Sequence, residues 1–214
     1  MRTNVKICGV TRAGDAQAAA EAGADFLGIN FYPGSPRGLS WKRFDELRPD
    51  MPDLPLVYVQ VKPDIEELRR AKNAGFAFFQ VHFPIDMDHA TIRSWSSTVG
   101  RECLWLTPKR QPAIPIPEPL YDLADTFLVD TYRAEAGVFG GSGVTGDWSE
   151  FRRLAEARPE KNWVLAGGLS PENLTQAVRE SGARIVDLNS GVESSPGQKD
   201  PERIRAALAA LNNV

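Results

Sequence analysis

Along the chain, short runs of consecutive apolar residues alternate with stretches whose apolar positions recur every three or four residues. The runs fall near 4–8, 24–30, 55–61, 76–82, 102–106, 126–130, 163–166 and 185–188. They lack the in–out alternation of a half-exposed strand and fit strands buried on both faces of a parallel sheet. Helical spacing follows most of them: Ala16, Ala19 and Ala20, then Trp41, Phe44 and Leu47, then Ile65, Leu68 and Ala71. It returns in Ile92 and Trp95, in Trp148, Phe151, Leu154 and Ala155, and in Ile204, Ala207, Leu208 and Leu211. Stop and start signals agree. Gly23 ends the first helix, Asp64 and Glu67 form a capping box, and Thr11 is placed to cap the first helix. Ser170 followed by Pro171, with Leu169 and Leu174 as a hydrophobic staple, opens the seventh, and Asp200-Pro201 opens the last. Eight strand–helix units without a linker predict one α/β domain over 1–214, a (β/α)8 barrel. A doubly wound open sheet is the alternative.

Three stretches resist regular structure. Residues 31–39 hold two prolines and two glycines, 107–119 hold five prolines, and 137–146 hold five glycines. In a barrel, chemistry collects where strands end. Those ends carry Cys8, Gln80 and His82, Asp130, Gly167-Gly168 and Ser190-Gly191, with Arg37 in the second loop. A thiol is a soft, readily ionised base or nucleophile, and equally a small buried filler. Asp130 closes an apolar strand, where partial desolvation favours an acid role, and capping or a salt bridge is the bland reading. Glycines let backbone N–H groups approach an anion, so Gly167-Gly168 entering a helix, and more weakly Gly141 and Gly143, suit a phosphate. Gln80 and His82, two apart on one strand, face the same way. Arg37 suits a carboxylate or phosphate, or plain solvent. Asp187 inside an apolar strand needs a partner. Cys103 reads as core filler and His89 as a surface residue.

The net charge of −3 removes any case for nucleic acid or an anionic membrane as partner. No apolar run reaches the length of a membrane span, and the start Met-Arg-Thr-Asn is not that of a signal peptide. Cys8 and Cys103 then read as free thiols in a reducing cytoplasm. Two histidines seven apart and no Cys/His cluster argue against a metal site.

A set of segments in a fixed order carries more. They are Lys6-Ile7-Cys8-Gly9-Val10-Thr11, Ser35-Pro36-Arg37, Gln80-Val81-His82, Val129-Asp130-Thr131 and Gly140-Gly141-Ser142-Gly143. Then come Asp147-Trp148, Leu165-Ala166-Gly167-Gly168-Leu169-Ser170-Pro171-Glu172-Asn173, and Ser190-Gly191-Val192-Glu193 through Lys199-Asp200. Over nearly its whole length the chain resembles the phosphoribosylanthranilate isomerases of tryptophan biosynthesis. The resemblance implies a cofactor-free barrel that performs an Amadori rearrangement on a phosphoribosyl substrate; whether as a monomer or homodimer the sequence leaves open. It implies Asp130 as general acid, Cys8 as general base and Arg37 as partner of the anthranilate carboxylate. The glycine loops with Ser190 and Gly191 would form the phosphate site, with Gln80 and His82 contacting substrate. The chain departs from the family pattern at Tyr58, Phe83, Gly146 and Asn189, and a bulky ring at Phe83 is expected to narrow the pocket. The other readings are a barrel acting on a different phosphosugar, or one that only binds it.

Overall fold

The apolar runs pair side by side in chain order. A computed structural model describes residues 2–111, 114–131 and 148–211. In it β1 (Asn4–Cys8), β2 (Phe26–Asn30), β3 (Leu56–Val61), β4 (Phe78–Pro84), β5 (Leu104–Lys109), β6 (Thr126–Asp130), β7 (Asn162–Ala166) and β8 (Ile185–Leu188) close a barrel. Every pairing in it is parallel, β8 joining β1. The helices between the strands are α1 (Ala13–Ala22), α2 (Trp41–Leu47), α3 (Ile65–Asn73), α4 (His89–Val99), α5 (Glu118–Tyr121), α6 (Trp148–Ala157) and α7 (Leu174–Ser181), and α8 (Pro201–Leu211) follows the last strand. Between β8 and α8 lies an antiparallel hairpin of β9 (Glu193–Ser195) and β10 (Gln198–Lys199).

Two apolar layers hold this together. Outward-facing residues such as Ile7, Leu27, Tyr58, Val81, Leu106, Phe127 and Leu165 form one large core with the helices. A smaller interior cluster of Val57, Val59, Trp105, Leu128, Val164, Ala166 and Cys8 fills the barrel, floored by Phe26, Phe78 and Ile185. Burial on both faces explains the unbroken apolar runs. No helix among the described residues is long and apolar enough to cross a membrane.

Local signals are met at several ends. Gly23 adopts φ 96° after α1. Asp64 and Glu67 exchange both capping-box hydrogen bonds at α3, and the Asp200 carboxylate accepts from the backbone N–H groups of Glu202 and Arg203.

Four expectations need correction. Thr11 does not cap α1; Arg12 occupies that position without a side-chain cap, and the Thr11 hydroxyl donates instead to the Gly197 carbonyl at 2.5 Å. Ser170 sits ahead of α7 rather than at its N-cap, because a turn over 171–173 intervenes. There the Asn173 side chain accepts from Ser170 N and donates to Gly168 O. The proline-rich stretch begins as strand: β5 runs through Pro108, in register with Phe83. Its pairing with β6 stops at Leu106–Phe127, so the N–H that Pro108 lacks leaves no gap on that edge. Cys103 lies just before β5 and is half-buried rather than core.

Candidate active site

At the C-terminal end of β1 the sequence Lys6-Ile7-Cys8-Gly9 sends Lys6 and Cys8 into the barrel. Lys6 and Asp187 are register partners across β1 and β8. The Lys6 ammonium donates to both Asp187 carboxylate oxygens at 2.9 Å, and Lys6 is wholly buried. This is the partner Asp187 required. Gly28 on β2 makes room for the arrangement, since a Cβ there would lie 2.9 Å from both the Cys8 Sγ and the Lys6 Cε. Burial first, and then the Asp187 charge, raise the Cys8 thiol above its ordinary range, while Lys6 and Lys199 pull the other way.

Beside Cys8, Gly9 takes φ +69°, and a Cβ on it would lie 2.7 Å from Arg37 Cδ. The Arg37 stem therefore crosses directly over Gly9. Its guanidinium grips Glu193 in a fork, Nε to Oε1 at 2.8 Å and Nη2 to Oε2 at 2.5 Å. Glu193 Oε1 also accepts from Lys199 Nζ at 2.8 Å and from the Gly197 N–H at 3.2 Å. Lys199, itself buried, donates further to Asn189 through both its side-chain and main-chain oxygens. Arg37 is thus ion-paired rather than bathed in solvent. The hairpin that carries Glu193 and Lys199 had one signal in the sequence, the turn-forming dipeptide Pro196-Gly197.

Across the mouth, β4 and β6 supply the other candidates. Gln80 and His82 share a face as expected, with Gln80 Nε2 and His82 Nε2 2.9 Å apart. Burial, and then the Lys6 charge, push His82 down to about 4, so it is neutral. Asp130 ends β6 exposed rather than desolvated, and the next residue ties that end down. Thr131 donates to the Ala166 carbonyl through both its N–H and its hydroxyl. His82, Thr107, Leu128 and Asp130 line a cavity of about 610 Å³ that spreads over the ends of β3 to β6. Cys8 is not among its described lining residues, and it is itself buried. Phe83 is also among the residues that line this space. Its aromatic group packs edge-to-face on Trp95 of α4, centroids 5.8 Å apart. Tyr58 likewise points outward, stacked on Trp41.

The loops after β7 and β8 press together. Gly167 and Gly168 both take positive φ, 97° and 64°. A Cβ on Gly191 would meet the Leu169 carbonyl oxygen at 1.9 Å, so only glycine fits. Arg203 from α8 secures both loops, donating to Gly191 O and pairing with Glu172. Ser190 opens a short 3-10 turn beside them. Gly141 and Gly143 lie outside the described residues.

A closed parallel barrel whose titratable side chains and glycine loops meet at the C-terminal ends of its strands is a (β/α)8-barrel enzyme. The sequence pattern of N-(5'phosphoribosyl)anthranilate isomerases matches residues 5–210, and the chain belongs to that family, a family of aldose–ketose isomerases. An N-(5'-phosphoribosyl)anthranilate isomerase of Syntrophus aciditrophicus is 38% identical, over 98% of this chain and 87% of its own. The phosphoribosyl anthranilate isomerase structure from Thermotoga maritima superposes with a TM-score of 0.82 at 29% identity, covering 99% of this chain and 100% of the other. A phosphoribosyl anthranilate isomerase in complex with reduced 1-(o-carboxyphenylamino)-1-deoxyribulose 5-phosphate superposes at 0.75 with 25% identity, covering 99% and 100%.

Proposed function

We propose that the chain converts N-(5-phosphoribosyl)anthranilate to 1-(2-carboxyphenylamino)-1-deoxyribulose 5-phosphate, with Asp130 as general acid and Cys8 as general base. The observation that carries this reading is the disposition of the two groups. Both stand on inward faces of strand ends, with only β7 and β8 between them around the ring. Asp130 in its acid form protonates the furanose ring oxygen as the C1′–O bond breaks, which opens the sugar to a protonated Schiff base. The Cys8 thiolate then takes the C2′ proton, and that electron pair moves to form the enolamine. Return of a proton to C1′, with loss of the enol proton, yields the ketose. The paired loops at Gly167-Gly168 and Ser190-Gly191, with their left-handed glycines, suit the phosphate end. Gln80 and His82 would contact the sugar or the ring, and Arg37 the anthranilate carboxylate.

The raised Cys8 pKa has a consequence. A thiol that must ionise before it can act adds a rising limb to the pH profile of kcat/KM, and the acid that must be protonated adds a falling one. The test of the reaction is direct. Incubated with freshly prepared phosphoribosylanthranilate, the protein should extinguish the substrate's fluorescence and accumulate the ketose, by chromatography against an authentic standard. A folded protein that leaves this substrate untouched while binding other sugar phosphates would favour the different-substrate reading.

A further inference from the structure

We propose that Glu193 is a positioning residue for this reaction: it orients Arg37 so that one edge of the guanidinium remains for the carboxylate of the substrate. The inference rests on the reading of Arg37 given above. Glu193 occupies only the Nε and Nη2 donors of Arg37. Nη1 makes no hydrogen bond among the described residues. A guanidinium has two adjacent bidentate edges, so a carboxylate held on one fixes the direction of the other.

The hairpin is built to keep that carboxylate still. Glu193 receives Lys199 Nζ and the Gly197 N–H on the same oxygen that faces Arg37 Nε. Gly197 is itself fastened to the first loop through the Thr11 hydroxyl, and the Arg37 stem lies close against Gly9, where a Cβ would come within 2.7 Å of its Cδ. Charge points the same way. Two cations, Arg37 and Lys199, share one carboxylate, Glu193, leaving a net positive charge beside Cys8. The Glu193 side chain is only 4% exposed, so its charge holds both cations with little screening by water. A planar acid meets the free edge in a two-point contact, whereas the phosphate end has its own loops.

Wild type, Glu193→Gln and Arg37→Ala are assayed on phosphoribosylanthranilate and on the phosphoribosyl adduct of aniline, which lacks only the carboxylate. The readout is the ratio of the two kcat/KM values, with KM and kcat separated. Glutamine keeps the shape but presents an amide N–H to Arg37 and removes the charge. It should lower the preference for the carboxylated substrate about tenfold, chiefly through KM. Combining it with Arg37→Ala should add nothing to the loss of preference in Arg37→Ala alone. An equal fall on both substrates, or an unchanged ratio, would overturn the role of Glu193. If wild type itself shows no preference for the carboxylated substrate, the reading of Arg37 fails, and with it the proposal. A thermal melt of each variant separates loss of fold from loss of preference, and Glu193→Ala supplies a second substitution without the amide.

Discussion

Between β8, β1 and β2 the barrel mouth is packed with paired charges, Lys6 on Asp187 and both Arg37 and Lys199 on Glu193. Between β3 and β6 it opens into a cavity lined by His82, Thr107 and Asp130. The contrast extends to single atoms. On the charged side each buried head group has its hydrogen bonds, whereas Gln80 Oε1 and Thr107 Oγ1 are buried without a partner among the described residues. The first side holds a geometry, with the thiol inside it and a guanidinium above it. On the second, Thr107 belongs to the lining of the cavity. Buried charges are tolerable only when matched, and a buried polar group without a partner calls for an explanation.

Breaking the charged side should have the largest effect. Lys6→Met strands the Asp187 carboxylate in the barrel and should cost about 3–5 kcal/mol in denaturant unfolding. Lys6→Met combined with Asp187→Leu should recover much of that loss, because no lone charge remains. On the open side, His82 separates folded and unfolded states by its protonation. Its pKa falls from 6.5 to about 4 on folding, so below pH 6.5 the unfolded chain takes up a proton that the folded chain refuses. The neutral His82 contribution is therefore whole above pH 6.5 and drains away as the pH falls toward 4, by up to about 3 kcal/mol. Melts across that window should show a steeper acid loss for wild type than for His82→Gln.

Smaller effects sharpen the contrast. Gly191→Ala would force the β8 loop off the Leu169 carbonyl. It should cost about 2 kcal/mol and weaken inhibition by inorganic phosphate. Phe83→Leu should lower stability by about 1 kcal/mol while leaving KM unchanged, because the ring packs on Trp95. A KM that moved with this substitution would show that position 83 shapes the pocket after all.

The sequence was most legible where one rule sufficed. Strands buried on both faces are apolar without interruption, and β6 and β8 fall at 126–130 and 185–188, where the apolar runs put them. Cys8, Asp130, Gln80 and His82 followed from strand ends and side-chain alternation. The same alternation sends the Phe83 side chain toward Trp95 of α4 when His82 points in. What stayed hidden depended on pairing between distant segments. Lys6 and Asp187 are 181 positions apart, and register alone brings them together. Glu193 and Lys199 sit in a hairpin too short for periodicity to register. Ser170 looked like a cap because nothing local announces the Asn173 turn that displaces it.

The central claim is that a thiol held on the charged side performs the proton transfer at C2′. The most direct measurement is the turnover of Cys8→Ala on phosphoribosylanthranilate, alongside wild type with an equivalent melting temperature. The account predicts a fall of at least about a hundredfold, within the range that loss of a general base produces. Turnover within a few-fold of wild type would contradict it, and would move the base to another residue of the barrel mouth.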